Sequence, residues 1–123
     1  MTETVTPDYT VYQRAARERE ERRRSALRER LQRAEAAARS AAQVLKERFG
    51  ATAVILFGSV AHGLGFHADS DIDLAAAGIA PADFWRAWAA LDTIDPSFEI
   101  NLIAVEEATA SLKAVLDTEG VAL

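Results

Sequence analysis

Two aspartates, Asp71 and Asp73, alternate with Ile72 and Leu74 in the stretch "SDIDLA". Successive side chains of an extended chain point to opposite faces, so both carboxylates share one face and the aliphatic residues the other. Carboxylates crowded in water-poor surroundings repel each other unless a cation offsets them, and a pair this close can hold one hard divalent ion. Eleven residues separate Asp71 from an upstream Gly58-Ser59 pair in "LFGSVAHG". A Gly-Ser turn between a strand and a helix exposes backbone N–H groups and a hydroxyl where the helix dipole is positive, which suits a phosphate. A metal site facing a phosphate site is the equipment of phosphoryl or nucleotidyl transfer. There Mg²⁺ bridges triphosphate oxygens, orients an attacking hydroxyl and offsets charge on the leaving pyrophosphate.

The elements that must position these groups follow from periodicity. "TAVILF" (Thr52 to Phe57) is a β-branched apolar run ending at Gly58 and predicts a buried strand. "DIDLAAA" predicts a second strand, "PADFWRAWAAL" (Pro81 to Leu91) a helix, "FEINLIAV" (Phe98 to Val105) a third strand and "EEATASLKAVLDTEG" a closing helix. Ahead of them, Val11 to Phe49 contains neither Pro nor Gly and is rich in Ala, Arg, Glu and Leu, which predicts one long helix or two with a soft joint, stopped by Gly50. Leu27, Leu31, Ala34, Ala38, Ala41 or Ala42, Leu45 and Phe49 recur every three or four residues and form a stripe that can lie on a core. Arg14 to Arg24 has charge nearly all the way round and is expected to project into solvent. The order is helix, strand, short helix, strand, helix, strand, helix: an α/β (α+β) fold with a small mixed sheet. Residues 1–26 read as a helical extension and residues 27–123 as the domain proper.

Composition bounds the function. At 123 residues there is room for one domain, and no apolar run reaches the length that crosses a bilayer. Met1 to Thr10 lacks the apolar core of a secretory signal, and the chain has no cysteine, so disulfides, thiolate ligands and a cysteine nucleophile are excluded and the cytoplasm is the expected compartment. Residues 11–49 hold 12 of the 14 Lys and Arg but only 6 of the 19 Asp and Glu, about +6 against about −11 for the remainder. A basic arm on an acidic body can serve an acidic partner, a second copy of the chain or nucleic acid. Direct nucleic-acid binding is disfavoured, because interleaved aromatics and a recognition motif are missing. His62 and His67 read as solvated loop residues, and Trp85 and Trp88 as core packing rather than base stacking.

The Gly58-Ser59 pair after a first strand, the eleven-residue interval and Asp71-Ile72-Asp73 opening a second strand resemble the nucleotidyltransferases of the DNA polymerase beta superfamily, in their minimal nucleotidyltransferase branch. The resemblance runs from about Ala38 to Leu123. It implies Asp71 and Asp73 as Mg²⁺ ligands, Gly58 and Ser59 against the triphosphate of ATP, and a third carboxylate on the following strand. The natural register places Asn101 there, a departure: an amide offers an oxygen but brings no charge and cannot act as a base. Glu99, two residues earlier, is the alternative carboxylate. His62 falls where relatives often carry arginine.

Minimal nucleotidyltransferases resemble the antitoxin half of type VII toxin-antitoxin pairs. The implied activity is AMP transfer from ATP to a tyrosine of a HEPN toxin, a small helical ribonuclease. The alternative is a module that keeps the fold, has lost its chemistry and neutralises its partner by contact. The arginine-rich helix adds the expectation of a protein partner or of self-association.

Overall fold

The computed structural model describes residues 8–123; the expectation for Met1–Pro7 lies outside the described residues. Helix α1 (Tyr9–Phe49) is one continuous 41-residue helix, about 60 Å long at 1.5 Å per residue. Asp8 caps its start, accepting from the Thr10 N–H at 3.0 Å. At its end Gly50 takes the left-handed conformation with φ 74° and returns its N–H to the Leu45 carbonyl, the stop expected from a glycine after the last apolar turn.

Four strands form a mixed sheet in the order β3-β2-β1-β4. β1 (Ala53–Phe57) runs antiparallel to β2 (Ile72–Ala77), with Phe57 opposite Asp73, and β2 runs parallel to β3 (Ile100–Ala104), with Asp73 opposite Asn101. Between them lie α2 (Ser59–His62), α3 (Phe84–Ala90) and, after β3, α4 (Ala110–Glu119). Short 3-10 turns at Pro81–Asp83, Leu91–Thr93 and Val105–Glu107 replace the ends that the apolar periodicity assigned to helix. The closing helix therefore starts only at Ala110, capped by the Thr109 hydroxyl, which accepts from Leu112 N–H at 3.2 Å. The third strand starts two residues late, because Phe98 closes a turn onto the Asp95 carbonyl. Val121–Ala122 forms a fourth strand, β4, on the free edge of β1, which the periodicity did not reveal. Two residues are too few to show alternation.

The core lies on one face of the sheet. Val54, Leu56, Ile72, Leu74, Ala76, Ile100 and Leu102 are buried against α1 and α3. α1 meets them with Leu45 and with Ala34, Ala37, Ala38, Ala41 and Ala42, small residues that let the helix lie close to the sheet. Leu27, Leu31 and Phe49 flank this stripe half-buried, as their spacing predicted. No α1 residue before Leu27 joins the core, so about 25 Å of helix carries exposed Arg and Glu into solvent.

Trp88 packs on the core, and its indole N–H donates to the Ile100 carbonyl at 2.8 Å. Trp85, expected in the core, is instead exposed, stacked on Trp88 at 5.4 Å between ring centres. Three residues of helix rotate it by about 300°, enough to move it off the buried face. No helix among the described residues is long and apolar enough to cross a membrane.

Candidate functional site

The site forms where β1 ends and β2 and β3 begin, on the sheet face turned away from α1. Gly58 leaves β1 with φ 72° and ψ −160° and starts the turn into α2. A Cβ there would lie 2.5 Å from Asp73 Oδ2, so only glycine lets the turn approach this carboxylate. Ser59 opens the short helix. Its carbonyl accepts from Gly63 N–H at 2.7 Å, while its hydroxyl has no hydrogen-bond partner among the described residues.

Asp71 immediately precedes β2 and Asp73 is its second residue; both are half-buried. One nitrogen joins them: Asn101 Nδ2 donates to Asp71 Oδ2 at 3.3 Å and to Asp73 Oδ1 at 3.2 Å. Burial pushes Asp73 above the ordinary carboxylate range, the Asn101 hydrogen bond pulls it back, and the charge of Asp71 raises it again. Two half-buried carboxylates bridged only by a neutral amide remain short of positive charge.

The donor set fits a hard divalent cation. It consists of two carboxylates and an amide whose other heteroatom is an oxygen, with a hydroxyl nearby, and Mg²⁺ takes oxygen ligands while keeping several waters. Among the described residues there is no cluster of three or more His, Cys, Asp and Glu. The third position is held by the asparagine instead.

Glu99 is not brought into this cluster. Its backbone carbonyl accepts from Ile72 N–H at 2.9 Å, which fixes the register of β3 on β2, but its side chain is exposed and makes no hydrogen bond among the described residues. Both histidines build the loop between the turn and Asp71. His62 Nδ1 accepts from Leu64 N–H at 3.0 Å, and His67 Nδ1 from Asp69 N–H at 3.1 Å. His67 N–H donates to the buried Ser70 Oγ at 2.9 Å, and Phe66 is buried beneath the loop.

Composition did not reveal a clamp from α1 onto the segment entering β3. Arg30 donates to the Ser97 carbonyl at 2.8 Å and lies 4.2 Å over the Phe98 ring. Arg33 reaches Ser97 Oγ at 3.0 Å and Asp95 at 3.3 Å. Hydrogen bonds from Ser97, with the Arg33 charge, hold the Asp95 carboxyl below its usual range. Together these contacts place the start of β3, and with it Asn101. The only signal in the sequence was two arginines on the edge of the apolar stripe.

Residues 38–115, more than half of the chain, match the family model for the nucleotidyltransferase domain. The chain belongs to that family and is of its minimal nucleotidyltransferase type. A solved structure described as a minimal nucleotidyltransferase superposes with a TM-score of 0.61 at 28% identity, covering 76% of this chain and 95% of that one. A toxin-antitoxin complex with AMP-PNP gives 0.59 at 21% identity, covering 69% and 70%. The complex of tri-AMPylated Shewanella oneidensis HEPN toxin with MNT antitoxin gives 0.55 at 17%, covering 72% and 70%. These last two show a shared fold. No curated protein matches the chain in sequence.

Proposed function

We propose that this chain is a Mg²⁺-dependent nucleotidyltransferase that moves AMP from ATP to a hydroxyl of a partner protein, acting in the cytoplasm as the antitoxin of a HEPN toxin. The observation that carries this reading is the convergence of Asp71, Asp73 and the Gly58-Ser59 turn at one end of the sheet. The choice of acceptor is supported by a structural neighbour described as tri-AMPylated HEPN toxin in complex with MNT antitoxin.

In this reading Asp71 and Asp73 would hold the cation, and the Asn101 amide, which now turns its Nδ2 to both of them, would flip to offer its oxygen as the third protein donor. Bound there, Mg²⁺ supplies the positive charge that neutralises the triphosphate and the leaving pyrophosphate. The Gly58 turn and the Ser59 hydroxyl orient the triphosphate. The acceptor oxygen forms a bond to the α-phosphorus as the bond to the pyrophosphate oxygen breaks. Glu99, exposed and two residues before Asn101 on the same side of the chain, is the carboxylate left to take the hydroxyl proton.

One observation favours a second reading, a module that binds and neutralises its partner without chemistry: Asn101 stands where a third carboxylate would, and it ties the two aspartates together by hydrogen bonds. Incubation of the HEPN partner with ATP and Mg²⁺, read by intact mass, separates the two. Transfer adds one AMP to the partner and is lost, by at least about a hundredfold, in Asp71→Ala and Asp73→Ala. Asn101→Asp raises the rate and Glu99→Ala lowers it. An unchanged partner mass, with the complex still formed, selects the binding module. Full activity in Asp73→Ala overturns the metal assignment.

A further inference from the structure

At the other end of the strands from the aspartates, an open groove of about 760 Å³ runs along edge strand β3. Phe84, Trp85, Ile103 and Leu112 give it apolar walls, and Glu106 and Glu107 stand on its rim. Trp85 is 71% exposed, a large aromatic surface left in water beside edge strand β3. Glu106 accepts from the Gly78 N–H at 2.8 Å, and neither glutamate is in an ion pair among the described residues, so the rim carries negative charge with no cation beside it.

The opposite character appears on the free part of α1. The stripe that packs on the core at Leu27, Ala34, Ala38, Ala41 and Leu45 continues past the body, at the same three- and four-residue spacing, as Arg23, Arg19, Ala16, Tyr12 and Tyr9. Tyr9 and Tyr12 are 64% and 68% exposed. Arg19 has no carboxylate partner among the described residues, and Arg23 has only an exposed contact with Glu20 on the same helix, a weak kind of pair. This segment lies outside residues 38–115, so the family fold does not account for it.

We infer that the exposed arm of α1 in one copy lies in the Trp85 groove of a second copy, its tyrosines against Phe84 and Trp85 and its arginines against Glu106 and Glu107. Two aromatics followed by two cations on one helix face match an aromatic wall with an acidic rim, and arginine and tyrosine are the residues that anchor interfaces. Arm and groove are distinct surfaces, so two copies that exchange arms reciprocally close a dimer, whereas one-way docking leaves an open chain. Because the groove is remote from Asp71 and Asp73, docking leaves the site accessible. The inference requires neither nucleotide nor chemistry and stands or falls independently of the proposed transfer.

Sedimentation of the full, nuclease-treated chain at about 50 μM tests it. In 50 mM salt the expected mass is twice the 13.4 kDa of the monomer or more, falling to the monomer in 1 M salt as screening weakens the charged contacts. Tyr12→Ser with Arg19→Glu on the arm, and separately Trp85→Ser with Glu107→Lys in the groove, each weaken self-association at least tenfold. Thermal melts check that both variants keep their fold, since all four side chains are exposed. Arg19→Glu mixed with Glu107→Lys associates at least tenfold more tightly than either variant alone. A wild-type chain that stays monomeric in 50 mM salt overturns the inference. So does a groove variant that associates like wild type, which assigns the contact to arm against arm. Association lost on nuclease treatment overturns it in favour of nucleic-acid bridging.

Discussion

Along β2, neighbouring residues meet opposite environments. Ile72 and Leu74 are wholly sealed against the helical layer, while Asp73, and Asp71 just ahead of the strand, remain half-buried on the other face beside Gly58 and Asn101. Ala75 is sealed as well, so the second face is covered at the middle of the strand and open at its two ends, at Asp73 and Ala77. The inner face holds the strand in place. The outer face spends part of that stability on a desolvated carboxylate. A site of this kind needs a scaffold whose apolar packing exceeds what the charge takes away, and alternation delivers both from one short segment.

The contrast can be broken from either side. Leu74→Ala removes a sealed side chain and is expected to lower stability by about 2–5 kcal/mol in denaturant titration. Its Mg²⁺ affinity in the folded fraction stays within about twofold of wild type, because no carboxylate moves to the other face. Gly58→Ala imposes both a left-handed backbone on alanine and a contact with Asp73 Oδ2. It is expected to cost about 1–3 kcal/mol and, unlike Leu74→Ala, to weaken cation binding by calorimetry as well.

Asp73→Asn sharpens the comparison, since it is expected to gain stability while losing the cation binding proposed for this face. Burial raises the Asp73 pKa above its model-compound value of 3.8, so the wild-type fold is penalised once that carboxyl ionises. The variant therefore melts higher at pH 7. Its advantage shrinks as the pH falls through the raised pKa and is gone below about 3.8, where the wild-type side chain is protonated in both states. An Asp73→Asn melting point equal to or below wild type at neutral pH would remove the idea that this face is destabilising. The smallest effect is expected at Arg14→Ala on the exposed arm: less than about 0.5 kcal/mol, because it touches no part of the core.

Alternation is also why the centre of the molecule is legible in the sequence. Ile72 and Leu74 against Asp71 and Asp73 gave strand, face and charge at once, and Ala34, Ala38 and Leu45 gave the packed side of α1. Ala37 falls outside that stripe because a spacing of three or four residues admits only one of the adjacent Ala37 and Ala38, whereas the helix buries both. Trp85 was misplaced because three helical residues span most of a turn but not all of it. Arg30 and Arg33 read as ordinary surface charge, since their partners, Ser97, Phe98 and Asp95, lie more than sixty positions away and only the folded chain brings them near. Asn101 was located by register, but its bridge to both aspartates depends on side-chain geometry that no spacing encodes.

The close approach of Gly58 to Asp73 works as a mechanical interlock. With only a hydrogen separating them, the depth of the turn and the height of the acid form a single dimension rather than two. Neither lineage change nor redesign can widen the pocket at that corner by a larger side chain without displacing the acid itself. Freedom to reshape it begins one residue later, at Ser59, a half-buried position that already carries a side chain.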